Sequence, residues 1–236
     1  MWNPQPMRFR WIIFDADGTL FNYDRAEYYA LRSTFLAFGY PFQDTYLQAY
    51  RHFNKLQWTA FEQGKLSLPT LKVRRFKCLL DELNIHTDPK AFSYAYLQHL
   101  SERHDLIDGA EALLKALTGQ VGLVLMTNGI KEVQRSRLKL SSIGIYFSHI
   151  IISDEVGVAK PDRMIFEIAM EKMAETDKTS ILMVGDNLSS DIKGGLDFGI
   201  QTCWYNPENK DNDPSIVPTF HVTDLSEVLA IARSAS

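Results

Sequence analysis

Two aspartates separated by one residue, Asp15 and Asp17, directly follow the apolar residues 11–14, and Gly18 and Thr19 come next. A pair of carboxylates at the end of a buried strand disfavours joint ionisation unless a cation lies nearby. Carboxylate oxygens are ligands that Mg²⁺ prefers in proteins. The pair therefore predicts a magnesium site, and carboxylates placed there could attack a substrate or move its protons.

Further polar residues follow other apolar runs, each where a strand or turn is expected to end. They are Thr127 and Asn128, then Lys160 just ahead of a helix, then Asp186, and Asp191 one turn into the next helix. Because ligands bind at the carboxyl ends of parallel strands, we expect these side chains to meet the aspartate pair. Such a set suits phosphoryl transfer, in which positioning and charge neutralisation supply most of the catalysis. Taken singly, each residue would also fit a cap, a turn or a solvated charge.

The elements that must position these residues follow from the apolar pattern. Short β-branched runs alternate with helix-length segments, which indicates an α/β fold. Because the runs are unbroken, they favour a doubly wound, mostly parallel, Rossmann-like sheet covered on both faces. The predicted strands are residues 8–14, 121–126, 149–153, 180–185 and 201–204, with a weaker one at 220–222. The predicted helices are residues 108–117, 130–140, 161–174, 189–198 and 224–232, with Pro161 at a first helical position and Gly199 just past a helix end.

Residues 22–105 interrupt this alternation, because they contain no convincing strand but several amphipathic helical patterns. The stretch is far too long for one crossover helix. We therefore predict an all-helical second domain at residues 22–105, inserted into a core domain formed by residues 1–21 and 106–236. Most of its many aromatic rings would pack its own core, while a few could line a pocket.

Composition narrows the function classes. The net charge of −4 gives no overall positive field to attract nucleic acid or anionic membranes. The two cysteines, Cys78 and Cys203, lie in apolar settings, so we expect buried reduced thiols and a reducing compartment. No apolar run is long enough to span a membrane, and residues 1–6 show no basic region followed by an apolar one, so we expect no signal peptide. The expected location is the cytoplasm.

Four ordered motifs in this chain resemble those of the haloacid dehalogenase (HAD) superfamily. They are Asp15-Ala16-Asp17-Gly18-Thr19, Thr127-Asn128, Lys160-Pro161 and Gly185-Asp186-x₄-Asp191, and together they cover essentially the whole chain. The inserted helices resemble the cap domain that this family carries after its first strand.

The resemblance implies roles for the first and last motifs. Asp15 would be the nucleophile that forms an aspartyl-phosphate, and Asp17 would protonate the leaving group and then activate water. Mg²⁺ would be held by the Asp15 carboxylate, the Asp17 main-chain carbonyl and the Asp186 carboxylate.

The remaining motifs would bind the phosphoryl group. The resemblance implies that Thr127 and the Asn128 main-chain N–H bind the transferring oxygens. Lys160 would steady both the nucleophile and the phosphoryl group, and Asp191 would orient Lys160 or a metal-bound water.

Asp17 separates the reactions of the superfamily. Dehalogenases and phosphonate hydrolases lack the second aspartate, so its presence implies a phosphate ester as substrate. A phosphatase is favoured over a phosphomutase, whose cap differs. A phosphatase of a small metabolite such as phosphoglycolate or a sugar phosphate is an alternative. A catalytically silent phosphate-binding module is another, although the presence of both aspartates argues against it.

Substrate choice should depend on the cap, and a closer resemblance covers one stretch of the cap together with several stretches of the core domain. Residues 54–64, Phe21, residues 154–161 and residues 202–204 resemble those of cytosolic pyrimidine 5′-nucleotidases, which act on UMP, dUMP, dTMP and non-standard pyrimidine nucleotides. The resemblance implies a Mg²⁺-dependent hydrolase of nucleoside 5′-monophosphates, acting on a small phosphate monoester and on neither a nucleic acid polymer nor a membrane. Phe21, Tyr23 or Trp58 could stack on the base, although Trp58 also fits a role in packing the cap. The residues alone indicate neither the pyrimidine preference nor the oligomeric state.

Overall fold

A computed structural model describes residues 7–211 and 213–234 of the chain. The first six residues, which the signal-peptide argument concerned, lie outside this range. The strands are β1 (Trp11–Phe14), β2 (Gly122–Thr127), β3 (His149–Ile152), β4 (Ile181–Gly185), β5 (Gln201–Tyr205) and β6 (Phe220–Val222). The first strand begins later than predicted, because the Arg8 main-chain N–H donates to the Ala232 carbonyl and not to a neighbouring strand.

The six strands form one sheet in the order β3-β2-β1-β4-β5-β6, and every pairing is parallel. Both faces are covered, because successive residues of a strand enter different apolar clusters. Ile12 and Phe14 pack in one cluster, whereas Ile13 packs in the other. This burial on both faces explains the unbroken apolar runs, and it confirms the predicted α/β class with a parallel sheet.

The position of β1 in the sheet decides where the site forms. Phe14 is paired with Leu125 of β2 on one side and with Val184 of β4 on the other. All three strands run in the same direction, so Asp15, Thr127 and Asp186 come at their carboxyl ends, next to one another. The topology therefore brings three of the four motifs to one edge of the sheet.

The helices are α1 (Tyr23–Ala37), α2 (Asp44–Glu62), α3 (Leu68–Glu82), α4 (Pro89–Ser101), α5 (Ala110–Leu117), α6 (Lys131–Leu140), α7 (Ser153–Val156), α8 (Arg163–Met173), α9 (Lys193–Phe198) and α10 (Ser226–Arg233). The prediction of Pro161 at a first helical position was wrong. Asp162 caps α8 instead, by accepting a hydrogen bond from the Met164 N–H at 2.8 Å, so the helix begins at Arg163. Gly199 follows the last residue of α9, as predicted.

The predicted single helix over residues 189–198 is two elements. A π-helical turn, Leu188–Ile192, precedes α9. A π turn holds one more residue per hydrogen-bonded ring than an α turn and is frequent at functional sites. This turn carries Asp191.

The chain divides into two compact units. Of the described residues, the sheet unit comprises 7–22, 105–131, 138–211 and 213–234, and the helical unit comprises 23–104 together with 132–137. Helices α1 to α4 form the bulk of the helical unit, and no strand occurs within the described residues 23–104. The predicted all-helical insertion after the first strand is confirmed.

Two local signals explain where α4 begins. Asp88 caps α4 by accepting hydrogen bonds from the N–H groups of Lys90 and Ala91, each at 3.1 Å, and Pro89 occupies the first turn.

The interior of the helical unit is a cluster of aromatic rings, in which Phe76 lies 4.9 Å from Tyr96 and 5.5 Å from Phe92 between centroids. Core packing therefore accounts for many of the aromatic residues in this unit.

Among the described residues, no helix is both long enough and apolar enough to cross a membrane. Cys203 is buried as expected, but Cys78 is partly exposed because it lies between outward-facing Lys77 and buried Leu79 on α3. Both cysteines are free thiols.

Candidate active site

A buried ion-pair cluster lies at the carboxyl edge of the sheet unit. The Lys160 ammonium is 2.5 Å from Asp15 Oδ1 and 2.7 Å from Asp191 Oδ1. It also donates to the Met126 carbonyl at 2.9 Å, so its three N–H donors each have an acceptor. All three charged side chains are almost completely buried. Lys160 thus holds the predicted nucleophile from one side.

Burial and charge act against each other in this cluster. Burial raises the pKa of Asp15 well above its ordinary range, Lys160 lowers it, and the Asp191 and Asp186 carboxylates raise it further. Burial also opposes the charge on Lys160, but the Asp15 and Asp191 carboxylates outweigh it, and the pKa of Lys160 rises. The lysine is therefore protonated, and the carboxylates around it outnumber it.

Three carboxylates form a candidate metal site. One oxygen each from Asp15, Asp186 and Asp191 lies within 4.8 Å of the others. Burial and the neighbouring Asp191 raise the pKa of Asp186 to about 7. One lysine cannot balance three carboxylates, and an all-oxygen donor set is the kind that Mg²⁺ takes. The residues present therefore fit the predicted Mg²⁺ ion, which would relieve the repulsion among them.

The Asp186 carboxylate is held by the turn after β1. Thr19 Oγ1 donates a hydrogen bond to Asp186 Oδ1 at 3.2 Å. Gly18 has φ of +87°, and a Cβ at that position would lie 2.4 Å from Asp186 Oδ2. Glycine is therefore required at position 18, because it adopts the left-handed backbone readily and leaves room for the Asp186 carboxylate. The sequence placed Thr19 beside the aspartate pair but gave no sign that its hydroxyl reaches Asp186.

Asp191 reaches the cluster through the π-helical turn. Its Oδ2 accepts the Asn187 main-chain N–H at 3.1 Å, which closes the turn onto the end of β4. A Cβ on Gly185 would lie 2.3 Å from the same oxygen, so Gly185 allows the close approach. The prediction that Asp191 orients Lys160 agrees with their 2.7 Å contact. Asp191 is also the third carboxylate of the cluster, and the binding of Mg²⁺ by the Asp17 main-chain carbonyl stays a prediction.

Asn128 joins two motifs through its side chain. Its Nδ2 donates to the Lys160 carbonyl at 2.8 Å, and its Oδ1 accepts the Lys160 main-chain N–H at 2.8 Å. Sequence reasoning considered only the main-chain N–H of Asn128 and missed this clamp. Thr127 is buried, and its Oγ1 accepts the Gly129 N–H at 3.0 Å. The binding of phosphoryl oxygens by Thr127 and Asn128 stays a prediction.

The other predicted site residues are placed as follows. Asp17 is partly buried in a compact turn, in which the adjacent Gly18 N–H donates to the Phe21 carbonyl at 3.0 Å. Phe21 is completely buried in an apolar cluster of the sheet unit, so its ring offers no open face for stacking. Tyr23 and Trp58 belong to the helical unit, where both are partly buried and Trp58 packs edge-to-face against Phe61 at 5.6 Å.

Known proteins resemble the chain along most of its length. A sequence model of the haloacid dehalogenase-like hydrolase family matches residues 9–199. Pyrimidine 5′-nucleotidase YjjG of Escherichia coli (strain K12) is 35% identical over 222 residues, which cover 94% of this chain and 97% of YjjG. Pyrimidine 5′-nucleotidase PynA of Streptococcus pneumoniae is 32% identical over 224 residues, which cover 94% of each protein.

A solved structure shows the same fold. The crystal structure of the HAD-hydrolase YfnB from Bacillus subtilis, bound to magnesium, matches with a TM-score of 0.91 and 35% sequence identity. The match covers 95% of this chain and 99% of the YfnB chain.

Proposed function

Because the chain belongs to the haloacid dehalogenase-like hydrolase family, we propose that it is a Mg²⁺-dependent phosphatase of nucleoside 5′-monophosphates with a preference for pyrimidine nucleotides. The observation that carries the phosphatase chemistry is the Asp15 carboxylate at the end of β1, fixed by the buried Lys160 ammonium and surrounded by further acids. The names of YjjG and PynA support the substrate class.

The proposed reaction begins with Asp15. A carboxylate oxygen of Asp15 attacks the phosphorus atom, the bond from phosphorus to the nucleoside 5′-oxygen breaks, and an aspartyl-phosphate forms. Asp17 donates a proton to the leaving oxygen, so that a neutral hydroxyl departs. Water then attacks the phosphorus atom while Asp17 takes its proton, and inorganic phosphate leaves as the Asp15 carboxylate is restored.

The chain's other charged groups fix this geometry. Lys160 orients Asp15 and offsets the charge that develops on the phosphoryl oxygens. Asp191 and the Asn128 amide hold Lys160 from its two ends, the ammonium and the main chain. When bound, Mg²⁺ would be held by Asp15 and Asp186, and would supply Lewis-acid stabilisation and reduce the repulsion between carboxylate and phosphate.

A substrate panel tests the proposal. Phosphate release is measured from UMP, dUMP, dTMP, AMP, GMP, phosphoglycolate and a sugar phosphate, each with Mg²⁺ and with EDTA. We expect the highest kcat/KM for the pyrimidine nucleotides, loss of turnover in EDTA, and recovery when Mg²⁺ is restored. The Asp15→Asn protein is the background control.

Two results would contradict the proposal. Turnover restricted to sugar phosphates or phosphoglycolate would replace the nucleotide assignment with a metabolite phosphatase. Absence of turnover on every compound, with inorganic phosphate still bound, would indicate a binding module in place of an enzyme.

A further inference from the structure

We propose that Trp204 is a positioning residue for the metal site, which it serves by holding the main chain at Asp186. The inference rests on the proposed Mg²⁺-dependent function, because it concerns how firmly the Asp186 carboxylate is presented to the ion. Trp204 is the fourth residue of β5 and is almost completely buried.

A single directed hydrogen bond carries the proposal. The Trp204 indole N–H donates to the main-chain carbonyl of Asp186 at 2.9 Å. In the parallel pairing of β4 with β5, Trp204 is the partner of Gly185, the residue directly before Asp186. The indole therefore reaches from β5 to the end of the neighbouring strand β4, where it fixes the main chain at Asp186, the first residue after that strand. That residue carries the candidate metal ligand.

The same ring supports the turn that carries Asp191. Trp204 packs with buried Ile192 and with Ile216, and partly buried Leu188 lies against this cluster. Leu188 and Ile192 are the two ends of the π-helical turn. The cluster thus packs against both ends of the turn, while the indole N–H donates to the carbonyl of Asp186, two residues before the turn begins.

The outer side of Trp204 is stacked as well. The ring of His221 on β6 lies 4.9 Å from the Trp204 ring between centroids, with an angle of 22° between the planes. Stacking, apolar packing and one hydrogen bond together leave the indole a single orientation. If position 204 only had to be filled by a ring, phenylalanine would serve as well, and neither the indole N–H nor its orientation would be needed.

Outer partners of metal-ligand residues contribute measurably to metal affinity. The direct test is Mg²⁺ binding to the full-length wild-type, Trp204→Phe and Trp11→Phe proteins by titration calorimetry. Trp11→Phe is the matched control, because it removes an indole from the first residue of β1, at the opposite end of the strands. We expect Trp204→Phe to weaken Mg²⁺ binding about fivefold, the equivalent of one neutral hydrogen bond. Trp11→Phe should bind Mg²⁺ like the wild type.

Kinetics separate positioning from general damage. Because the substitution acts on Mg²⁺ affinity, we expect Trp204→Phe to recover a kcat within about twofold of wild type at saturating Mg²⁺. Unchanged Mg²⁺ affinity in Trp204→Phe would overturn the inference and leave Trp204 a packing residue. A kcat that excess Mg²⁺ does not restore would overturn it as well.

A second measurement needs no variant to fold. In an amide and indole ¹H–¹⁵N spectrum of the wild-type protein, assigned by through-bond experiments, we expect Mg²⁺ to shift the Trp204 indole resonance and not that of Trp11. A Trp204 resonance that stays in place while Mg²⁺ binds would contradict the inference. Failure of the wild type to bind Mg²⁺ at all would instead contradict the proposed function, so the two failures are distinguishable.

Discussion

Lys160 of the sheet unit and Arg75 of the helical unit are both buried cations, but they are stabilised in different ways. Lys160 in the sheet unit and Arg75 in the helical unit are each only 1% exposed. Lys160 is surrounded by acceptors, two of them carboxylates at 2.5 and 2.7 Å. Arg75 donates one hydrogen bond, from Nη1 to Asn54 Oδ1 at 2.9 Å, while its Nε and Nη2 have no acceptor among the described residues.

Aromatic rings take the place of acceptors around Arg75. Its guanidinium carbon lies 4.9 Å from the Phe76 ring centroid, 5.2 Å from that of Tyr96 and 5.9 Å from that of Tyr50. Arginine tolerates such surroundings because its delocalised charge is weakly hydrated and stacks on ring faces. Lysine carries a compact charge that needs direct acceptors when it is buried.

We interpret Lys160 as a cation placed for the proposed reaction and Arg75 as a cation placed for packing. Carboxylates beside Lys160 cost stability through their mutual repulsion, so their retention at the edge of the sheet is explained by the reaction proposed there. The rings around Arg75 form the interior of a helix bundle. Four predictions test this contrast, beginning with the largest effect.

Replacing Asp15 with asparagine should abolish turnover while leaving the fold intact. The amide keeps the size of the side chain and can still accept a hydrogen bond from Lys160, but it cannot attack phosphorus. We expect kcat/KM to fall at least about ten-thousandfold. Thermal unfolding should show the protein still folded. Normal turnover in this variant would disprove the covalent mechanism and remove the chemical reason for the Lys160 cluster.

Replacing Lys160 or Arg75 with methionine compares the environments of the two buried cations directly. Lys160→Met leaves the Asp15 and Asp191 carboxylates buried without a cation, and we expect a loss of about 3–5 kcal/mol in the free energy of unfolding at pH 8 without metal. Arg75→Met removes one hydrogen bond and the ring contacts but also two buried nitrogens, Nε and Nη2, that have no acceptor, so the expected loss is about 1–2 kcal/mol. Urea unfolding of both variants measures the difference. Equal losses would show that the two environments stabilise their cations alike.

The helical unit also contains a buried carboxylate, and it should make stability depend on pH. Burial raises the pKa of Glu27 from its ordinary 4.5 to about 7, although Arg51, at 2.6 Å, acts in the opposite direction. The folded state therefore binds this proton more tightly than the unfolded state. The resulting stability is fully present below pH 4.5 and is lost as the pH rises through about 7. A shift of this size corresponds to about 3 kcal/mol.

Glu27→Gln should remove that part of the pH dependence. We expect the free energy of unfolding of wild type, relative to Glu27→Gln, to fall between pH 5 and pH 8, as measured by urea titrations at each pH. Asp24→Asn is the control, because Asp24 bonds the same Arg51 but its side chain is 71% exposed. A Glu27→Gln protein with the wild-type profile would place the pH dependence elsewhere in the molecule.

A pair of glycines gives the smallest and most local comparison. Gly18 in the sheet unit and Gly64 in the helical unit both have positive φ, +87° and +68°, but a Cβ on Gly64 would meet nothing within 4 Å. Gly64→Ala should therefore cost only backbone strain, about 1 kcal/mol. Gly18→Ala should add a clash with Asp186 and weaken Mg²⁺ binding about tenfold. Calorimetric Mg²⁺ titrations and thermal unfolding of the two variants check both statements, and equal Mg²⁺ affinities would refute the second.

Much of the fold was predictable because its signals are local. The unbroken apolar runs gave the strands of the parallel sheet to within a few residues, and the long stretch without strands gave the helical insertion. Helix starts were less accurate, since caps depend on one side chain, as at Asp162. The π-helical turn was not predictable, because a π turn and an α turn have the same apolar pattern over five residues.

The sequence predicted which residues form the candidate site but not the contacts that they make with one another. The motif order named Asp15, Lys160, Asp186 and Asp191, and the structure brings them together. It did not reveal the Asn128 clamp on the Lys160 main chain or the Thr19 hydroxyl on Asp186. Phe21, considered for base stacking, proved to be buried in the core.

What the sequence determined by itself is therefore the set of reactive groups, their family and the alternation of elements around them, since short-range patterns of polarity and residue type encode these. Only the tertiary structure decided which atoms meet. Asp15 and Lys160 are 145 residues apart in sequence, and Thr19 and Asp186 are 167 apart. Contacts at such separations depend on how the strands align and how each side chain packs, and no local pattern of residues records that arrangement.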